Sequence, residues 1–213
     1  MSKSTPKEVF HNYATRYAEL YMDVKQYAEG LRLLCQRLDK PKARILDIAC
    51  GPGNITNFLQ GERPDLQVLG IDIAPNMVKL AQVNNPLARF EIMDCMDIDQ
   101  IDGLFHGIVC GFILPYLSKN ELTLFLKKVK DCLFSDGLLY ISTMEGQHEQ
   151  SAWQGPSSGD GPSLFMNYYN EDLLGRLLSE SGFKILEVTR VAHPQGNEVT
   201  SNDLVLIAQK SPE

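Results

Sequence analysis

The stretch ILDIACGPGN, residues 45–54, combines the pattern of a buried strand with a turn that has almost no side chains. Apolar residues surround the single acid Asp47, and Gly51 and Gly53 flank a proline. In open α/β sheets, ligands bind beyond the carboxyl ends of the strands, where the first strand-to-helix turn lies. Glycines let backbone approach a ligand closely, and the next helix presents free N–H groups to an anion. The stretch therefore predicts a first strand followed by a ligand-binding turn.

Beyond this stretch, short β-branched runs alternate with helical patterns. The alternation predicts βαβ units with right-handed crossovers and a mainly parallel sheet. The last two strands are separated only by the short loop 192–202, so we expect them to form an antiparallel hairpin. The predicted strands are 44–49, 67–72, 88–94, 107–114, 137–144, 183–190 and 203–209, and the predicted helices between them are 54–61, 75–84, 118–134 and 170–181.

Two segments lie outside this alternation. Residues 6–38 have apolar positions every three or four residues, and Thr5 and Glu8 form a capping box before them. We predict two helices there, broken near Asp23 or Gly30. Residues 145–166 are rich in Gly, Ser and Pro, and a loop of this length in a compact domain is either disordered or a functional lid.

The composition limits the classes of function. The 213 residues are 44% hydrophobic and 22% charged, which predicts one globular domain, and the net charge of −7 disfavours nucleic-acid binding. The five cysteines are scattered and show neither a disulfide framework nor a zinc-site spacing. No apolar run approaches the roughly 18 residues of a membrane span. We expect a soluble, cytoplasmic protein with no membrane partner, as a monomer or homodimer.

Acids follow the same edge of the predicted sheet. Asp72 ends the second strand 21 residues after Gly51, a spacing at which an acid accepts hydrogen bonds from ribose hydroxyls. Asp94 ends the third strand in the same way. Because carboxyl ends of parallel strands meet at one edge, these acids should lie close to the glycine turn and to Asp47.

Four motifs in order resemble class I S-adenosylmethionine-dependent methyltransferases. They are ILDIACGPGN (45–54), VLGIDIAPNM (68–77), FEIMDCMDI (90–98) and GIVCGFILPYL (107–117). The resemblance covers residues 43–211 and implies an α/β, Rossmann-like fold with a seven-stranded, mostly parallel sheet. It implies the strand order 3-2-1-4-5-7-6 with strand 7 antiparallel, helices on both faces, and residues 1–40 as an N-terminal helical cap of a single domain, 1–213.

The same resemblance implies S-adenosyl-L-methionine as the cofactor. Asp47 and the turn 50–53 would lie along its methionine part, Asp72 would bind both ribose hydroxyls, and Asp94 would accept from the adenine amino group. Residues 110–112 would line the sulfonium region. Ala49 departs from the family pattern, in which the first glycine usually stands there. The full implied set is Tyr17, Tyr21, Asp47, Ala49, Cys50, Gly51, Gly53, Asp72, Ile73, Met77, Asp94, Cys95, Met96, Cys110, Gly111 and Phe112.

An acid beside the turn suits this cofactor, because it carries a sulfonium and an ammonium against one carboxylate. A dinucleotide site would instead place a glycine or alanine where Thr56 stands. An NAD(P)-dependent oxidoreductase is therefore a weaker alternative. A non-catalytic protein that binds S-adenosylmethionine or S-adenosylhomocysteine is a further alternative, since methyl transfer requires so few side chains. The acidic balance disfavours an RNA or protein methyltransferase.

Candidate bases for methyl transfer follow the fifth predicted strand. A hydroxyl or ammonium acceptor would need a general base, and His148 and Glu145 stand where they would face the transferred methyl. We expect His106 and His193 to be structural or solvated. The aromatic residues Tyr116, Trp153, Tyr168 and Tyr169 indicate a small organic acceptor, methylated at oxygen, nitrogen or carbon, and no metal site is predicted.

Overall fold

The computed structural model describes residues 3–155, 161–195 and 198–212. It contains a seven-stranded sheet and a separate two-stranded sheet among these residues. The strands are β1 (Arg44–Ile48), β2 (Gln67–Asp72), β3 (Arg89–Ile92), β4 (Phe105–Gly111), β5 (Leu133–Met144), β6 (Ala152–Gln154), β7 (Leu164–Met166), β8 (Phe183–Gln195) and β9 (Glu198–Lys210).

The large sheet has the order β3-β2-β1-β4-β5-β9-β8. Strands β1 to β5 pair in parallel, and β9 runs antiparallel to both β5 and β8. Since β8 and β9 are the sixth and seventh strands of this sheet, the predicted order 3-2-1-4-5-7-6 with strand 7 antiparallel is confirmed. The carboxyl ends of β1, β2 and β4 therefore share one edge.

Helices cover both faces of the large sheet. They are α1 (Pro6–Asn12), α2 (Ala14–Tyr21), α3 (Ala28–Arg37), α4 (Asn54–Glu62), α5 (Pro75–Asn84), α6 (Lys119–Asp131) and α7 (Glu171–Glu180), with 3₁₀ turns at Lys25–Tyr27, Cys95–Gln100, Leu114–Tyr116 and His148–Gln150. One apolar core lies under α6 and α7, and another under α3 and α4. In the described part of the chain, no helix is long and apolar enough to span a membrane.

Local chemistry fixes several helix starts. The hydroxyl of Thr5 accepts from the Glu8 N–H, and Ser118 makes the same capping box with Glu121 at the start of α6. Asn170 caps α7 by accepting from the Leu173 N–H. These side chains satisfy N–H groups that the first helical turn leaves without partners.

The N-terminal segment contains three α-helices, so the prediction of two is wrong. The chain breaks at Tyr13, between α1 and α2, and again at residues 22–27, which agrees with the break predicted near Asp23. Gly30 does not break the chain but lies inside α3. A Cβ at Gly30 would lie 2.8 Å from Val205 and 3.3 Å from Tyr140, so glycine lets α3 pack closely on the sheet.

The segment 145–166 is more ordered than a loop in its described residues. It contains the 3₁₀ turn His148–Gln150 and the strands β6 and β7, which pair antiparallel. Residues 156–160 of the predicted lid lie outside the described residues. The strands β8 and β9 are longer than predicted, so His193 lies on β8 opposite Ser201 instead of in a hairpin loop.

Candidate functional site

A cavity of about 290 Å³ opens at the carboxyl ends of β1, β2 and β4. Its floor is the turn after β1, its sides are the ends of β2, β3 and β4, and α1 and α2 lie over it. Its lining comprises Thr5, Pro6, Lys7, Phe10, Tyr17, Ala49, Gly51, Asp72, Ile73, Met77, Met93, Asp94, Cys95, Met96, Gly111, Phe112, Ile113, Tyr116, Leu117 and Glu121.

The turn after β1 uses left-handed backbone at three positions. The φ angles of Ala49, Gly51 and Gly53 are 55°, 54° and 81°. Such angles cost a residue with a Cβ about 1 to 3 kcal/mol, which explains why glycine is usual where Ala49 stands. At Gly51 a Cβ would meet only Tyr17, at 3.8 Å, so the backbone there faces open space. The turn thus leaves open space beside Gly51, called the cradle below, which a side chain at this position would partly fill.

Asp72 connects the end of β2 to this turn. One carboxylate oxygen accepts from the Gly51 N–H at 2.9 Å, and the other accepts from the Ala74 N–H at 2.8 Å. Burial raises the pKa of Asp72, and these two hydrogen bonds oppose that rise. Each oxygen has a second lone pair, so the carboxylate can still accept hydrogen bonds from a diol in the cavity.

Asp47 lies beneath the turn and does not line the cavity. Its side chain is buried and accepts a hydrogen bond from the Thr56 hydroxyl at 2.7 Å. Burial raises the pKa of Asp47 to about 7, and the nearby charge of Asp72 adds to the rise. The acid that interrupts the strand is therefore poised to gain or lose a proton near neutral pH.

The end of β3 supplies a third acid. Asp94 accepts from the Met96 N–H at 2.9 Å and so caps the 3₁₀ turn Cys95–Gln100. This capping directs Cys95 and Met96 into the cavity wall. Burial and the Asp94 charge raise the pKa of the Cys95 thiol. The thiol is therefore uncharged at physiological pH.

Phe112 turns the chain at the end of β4. Its φ is 57°, and its N–H donates to the Ser142 carbonyl at 2.8 Å. Its ring contacts the Tyr27 ring with 5.3 Å between centroids. The preceding Cys110 is fully buried, so Gly111 and Phe112 contact the cavity and Cys110 does not.

Aromatic rings from the N-terminal helices cover the cavity. The Phe10 ring contacts those of Tyr17 and Tyr116, with centroid distances of 5.7 and 5.3 Å. Burial raises the pKa of Tyr17 to about 12, so this tyrosine is a neutral phenol at physiological pH. Tyr21 packs on Tyr17 but is 45% exposed and lies outside the lining.

The structure brings together most of the cofactor-binding residues implied by the sequence. Those in the cavity lining are Tyr17, Ala49, Gly51, Asp72, Ile73, Met77, Asp94, Cys95, Met96, Gly111 and Phe112, and those outside it are Tyr21, Asp47, Cys50, Gly53 and Cys110. The residues that the sequence did not indicate are Thr5, Pro6, Lys7, Phe10, Met93, Ile113, Leu117 and Glu121. The capping boxes at Thr5 and Ser118 locate the helix starts but carry no signal that these helices reach the cavity.

The two candidate bases also lie outside the lining. Both oxygens of Glu145 accept from Arg190 at 2.8 Å, and Arg190 in turn pairs with Glu171 at 2.7 Å. The His148 Nδ1 lies 3.1 Å from the Tyr168 carbonyl oxygen, and its ring packs on Tyr169. Both residues stay predictions, because these contacts do not test a role in catalysis.

A second polar cluster lies beside Phe112. The Tyr27 hydroxyl donates to Asp203 Oδ2 at 2.6 Å, and His193 Nε2 lies 2.5 Å from the same oxygen. Burial and the Asp203 contact raise the pKa of Tyr27, so it is a proton donor and not a phenolate. Among the described residues, no group of three His, Cys, Asp or Glu side chains is arranged to hold a metal ion.

Known proteins share both the motifs and the fold. The family model of a methyltransferase domain matches residues 45–137. A putative methyltransferase of Invertebrate iridescent virus 6 is 30% identical over 125 residues, which cover 58% of this chain and 46% of that protein. The chain thus spans about half the length of the curated relatives it matches.

Two solved structures resemble the whole chain. The 1,6-didemethyltoxoflavin-N1-methyltransferase of Burkholderia thailandensis superimposes with a TM-score of 0.73 at 21% identity, covering 97% of this chain and 87% of that one. A [4+2]-cyclase superimposes with a TM-score of 0.73 at 15% identity, covering 100% and 99%. At these identities the likeness shows the fold alone. The family model adds that residues 45–137 have the sequence pattern of a methyltransferase domain.

Proposed function

We propose that this protein transfers a methyl group from S-adenosyl-L-methionine to a small organic acceptor. The observation that carries the proposal is the buried Asp72 carboxylate, which holds the turn through Gly51 while lining the cavity. A ribose diol offers two donors to such a group. The open cradle at Gly51 and the apolar wall of Ile73, Met77 and Met96 suit the rest of a nucleoside.

The charges of the site also fit this cofactor. The cavity offers carboxylate acceptors and aromatic rings, and a ring face attracts a cation such as a sulfonium by roughly 0.5 to 2 kcal/mol. Phe10 and Tyr17 supply such rings. A pyrophosphate would instead meet the acids Asp72 and Asp94 without a cation from the turn. The NAD(P)-dependent alternative is therefore weaker.

The cofactor, when bound, supplies an electrophilic methyl group on a sulfonium. The chain's part is chiefly to position the two reactants, and good orientation alone contributes roughly 7 to 11 kcal/mol. The N-terminal rings exclude water from the cavity. His148 and Glu145 are retained as proposed bases, and we propose that residues 1–40 cap one domain with 145–166 as its acceptor-side cover.

A small acceptor is supported by the limited volume of the cavity, about 290 Å³, and by the net charge of −7. The structure of the toxoflavin enzyme contains bound 1,6-didemethyltoxoflavin and S-adenosylhomocysteine. The [4+2]-cyclase has the same fold but is named for a different reaction. The fold is therefore shared by proteins with different activities. A protein that binds the cofactor without methyl transfer is thus the second candidate function. A cytoplasmic location stays a prediction.

Calorimetry with S-adenosylhomocysteine and NADH tests the cofactor. We expect S-adenosylhomocysteine to bind and NADH not to bind. Asp72→Ala should weaken the affinity by about 1 to 3 kcal/mol through lost hydrogen bonds. Asp131→Ala, an exposed acid at the end of α6, is the matched control. Binding of NADH alone, or equal affinity of the Asp72 variant, would overturn the assignment.

A separate assay distinguishes an enzyme from a binding protein. S-adenosylhomocysteine release is followed while phenols, carboxylic acids, amines and thiols are offered with the methyl donor. We expect release that depends on one of these acceptor classes. Tight binding without release from any cellular metabolite extract would favour the non-catalytic candidate.

A further inference from the structure

One edge of the molecule exposes apolar side chains far more than the rest of the described surface. Leu87 is 82% exposed, Val83 78% and Ile92 58%, and these are the three highest values among the exposed large hydrophobic residues described. They lie at the end of α5, in the loop that follows, and on β3. Leu87 lines a cleft with Arg89 and Glu91, and Val83 lies on α5, so apolar side chains are exposed on both faces of this edge. Such exposure favours a surface that a partner covers.

The backbone of β3 is also open on this side. Within residues 3–155, 161–195 and 198–212, β3 is the terminal strand of the large sheet and pairs only with β2. The Met93 N–H points to β2, where it donates to the Asp72 carbonyl at 3.1 Å. By the alternation of a strand, the peptide groups of Phe90 and Ile92 point outward. In the described structure, the Phe90 carbonyl is capped only by Gln82 Nε2 at 3.5 Å.

The charged residues of β3 can form ion pairs with those of a second copy of the same strand. Arg89 and Glu91 are exposed on one face of the strand, and neither forms an ion pair with any described residue. Antiparallel pairing of two copies about Phe90 places each Arg89 opposite Glu91 of the other copy. Pairing about Glu91 would place two carboxylates opposite each other, which is unfavourable. The charges therefore select one register.

We propose that β3 pairs with β3 of a second copy of this chain. The result is a two-fold dimer in which the two large sheets join at their β3 edges. A two-fold axis presents the same patch on both subunits, as the Arg89 and Glu91 order requires. Val83 and Ile92 lie on the α5 side of the strand, because Phe90 packs against Val78 and Ala81 of that helix. The two α5 helices then lie side by side and cover these apolar side chains.

A short, charged edge strand ordinarily discourages pairing between molecules. In β3, however, the positive Arg89 and the negative Glu91 are both present. Like charges therefore face each other, and repel, in registers such as pairing about Glu91, but not in pairing about Phe90. The pairing also lies next to the proposed cofactor site, since β3 leads directly into Asp94 and Met96 of the cavity wall. The inference does not depend on the proposed function.

Sedimentation velocity and light scattering at physiological salt test the dimer. The chain has a mass of 23.9 kDa, and we expect about twice that mass at micromolar concentrations. Glu91→Arg and Arg89→Glu each place like charges opposite one another, so each should raise the dissociation constant at least about tenfold. The double variant Arg89→Glu/Glu91→Arg restores opposite charges and should recover the dimer. Glu180→Arg on α7, remote from β3, is the matched control for the change of charge.

Each outcome decides the proposal. A monomer at all concentrations overturns it, and so does a dimer that both single variants leave intact, because the contact would then lie elsewhere. Circular dichroism of the variants checks that they fold, which is expected because both positions are exposed. Recovery of the dimer by the double variant alone identifies the antiparallel register about Phe90.

Discussion

At the scale of single residues, Asp47 explains why an acid interrupts a buried strand. Its carboxyl group is buried beneath the glycine turn, where it accepts a hydrogen bond from the Thr56 hydroxyl. Thr56 also stands where a dinucleotide site would need a small residue, so one side chain both supports the acid and fills that space. The Thr56 hydrogen bond lowers the pKa of Asp47 and so opposes the rise that burial causes.

The pH dependence of stability should report Asp47. Its folded pKa of about 7 lies above the unfolded value of about 3.9. Between these values the folded state keeps a proton that the unfolded state has lost, so stability falls as pH rises through this window. Asp47→Asn removes the titration, and its free energy of unfolding should gain on the wild type by roughly 1 to 4 kcal/mol from pH 4 to pH 7.

Urea unfolding of both proteins at each pH measures this difference, because the other carboxyl groups cancel. Thr56→Val is the companion variant. It removes the hydrogen bond that stabilises the ionised acid, so the fall in stability should extend to higher pH. Parallel stability curves for the wild type and Asp47→Asn would show that the acid keeps one charge state throughout.

The sequence predicts where a side chain lies when that side chain stands at or near the end of a strand. Asp72 is the last residue of β2 and Asp94 stands two residues after β3, so the parallel topology alone brings them to the turn. The contact of Tyr27 with Asp203 joins positions 176 residues apart. It depends on how β9 registers with β5 and on where α3 begins, and neither is set by local sequence.

At the scale of elements, boundaries are predictable where local chemistry defines both ends. Helix α5 matches the predicted 75–84, because Pro75 fits the first helical turn and Asn85 leaves the helical conformation, with φ −136° and ψ 72°. Strand β2 also matches the predicted bounds, 67–72. The break at Tyr13 was not predictable, because the apolar period continues through it. The pairing of β6 with β7 requires two short segments to meet across residues whose composition indicates only a loop.

Two glycines near α4 should respond to alanine in opposite directions. Gly61 lies in the helix with no atom within 4 Å of a built Cβ, so Gly61→Ala should stabilise the protein by about 0.5 to 1 kcal/mol. Gly53 has a φ of 81°, and its Cβ would lie 2.2 Å from Asn85 Nδ2 and 3.2 Å from Ala81 Cα. Gly53→Ala should therefore destabilise by roughly 2 kcal/mol or more. Thermal and urea unfolding measure both, and effects of the same sign would contradict the assigned backbone geometry.

At the scale of the whole molecule, the N-terminal segment that covers the cavity contacts a distant part of the sequence. The Ser4 N–H donates to the Ser163 carbonyl at 3.1 Å, and Lys3 Nζ lies 4.5 Å from the centre of the Trp153 ring. The N-terminal segment is therefore in contact with the β6–β7 strand pair. Helix α1 of this segment has no buried residue, so it belongs to the least stable part of the fold and can open without global unfolding.

Phe10 should control how fast a ligand leaves. It is the α1 ring that contacts Tyr17 on α2 and Tyr116 beyond β4, so Phe10→Ala removes two aromatic contacts that hold α1 over the cavity, while the hydrogen bond from Asn76 to the His11 carbonyl remains. Because α1 contributes no buried residue, we expect little change in the melting temperature of the free protein. The dissociation rate of S-adenosylhomocysteine should rise at least about tenfold, since changes in affinity are expressed mostly in dissociation. Stopped-flow displacement measures this rate, and hydrogen exchange over residues 6–12 reports opening of the helix.

Leu20→Ala on α2, 53% exposed and outside the lining, is the matched control. Faster exchange of α1 with an unchanged dissociation rate would mean that the helix opens freely and that the ligand is retained by the turn and the acids below it.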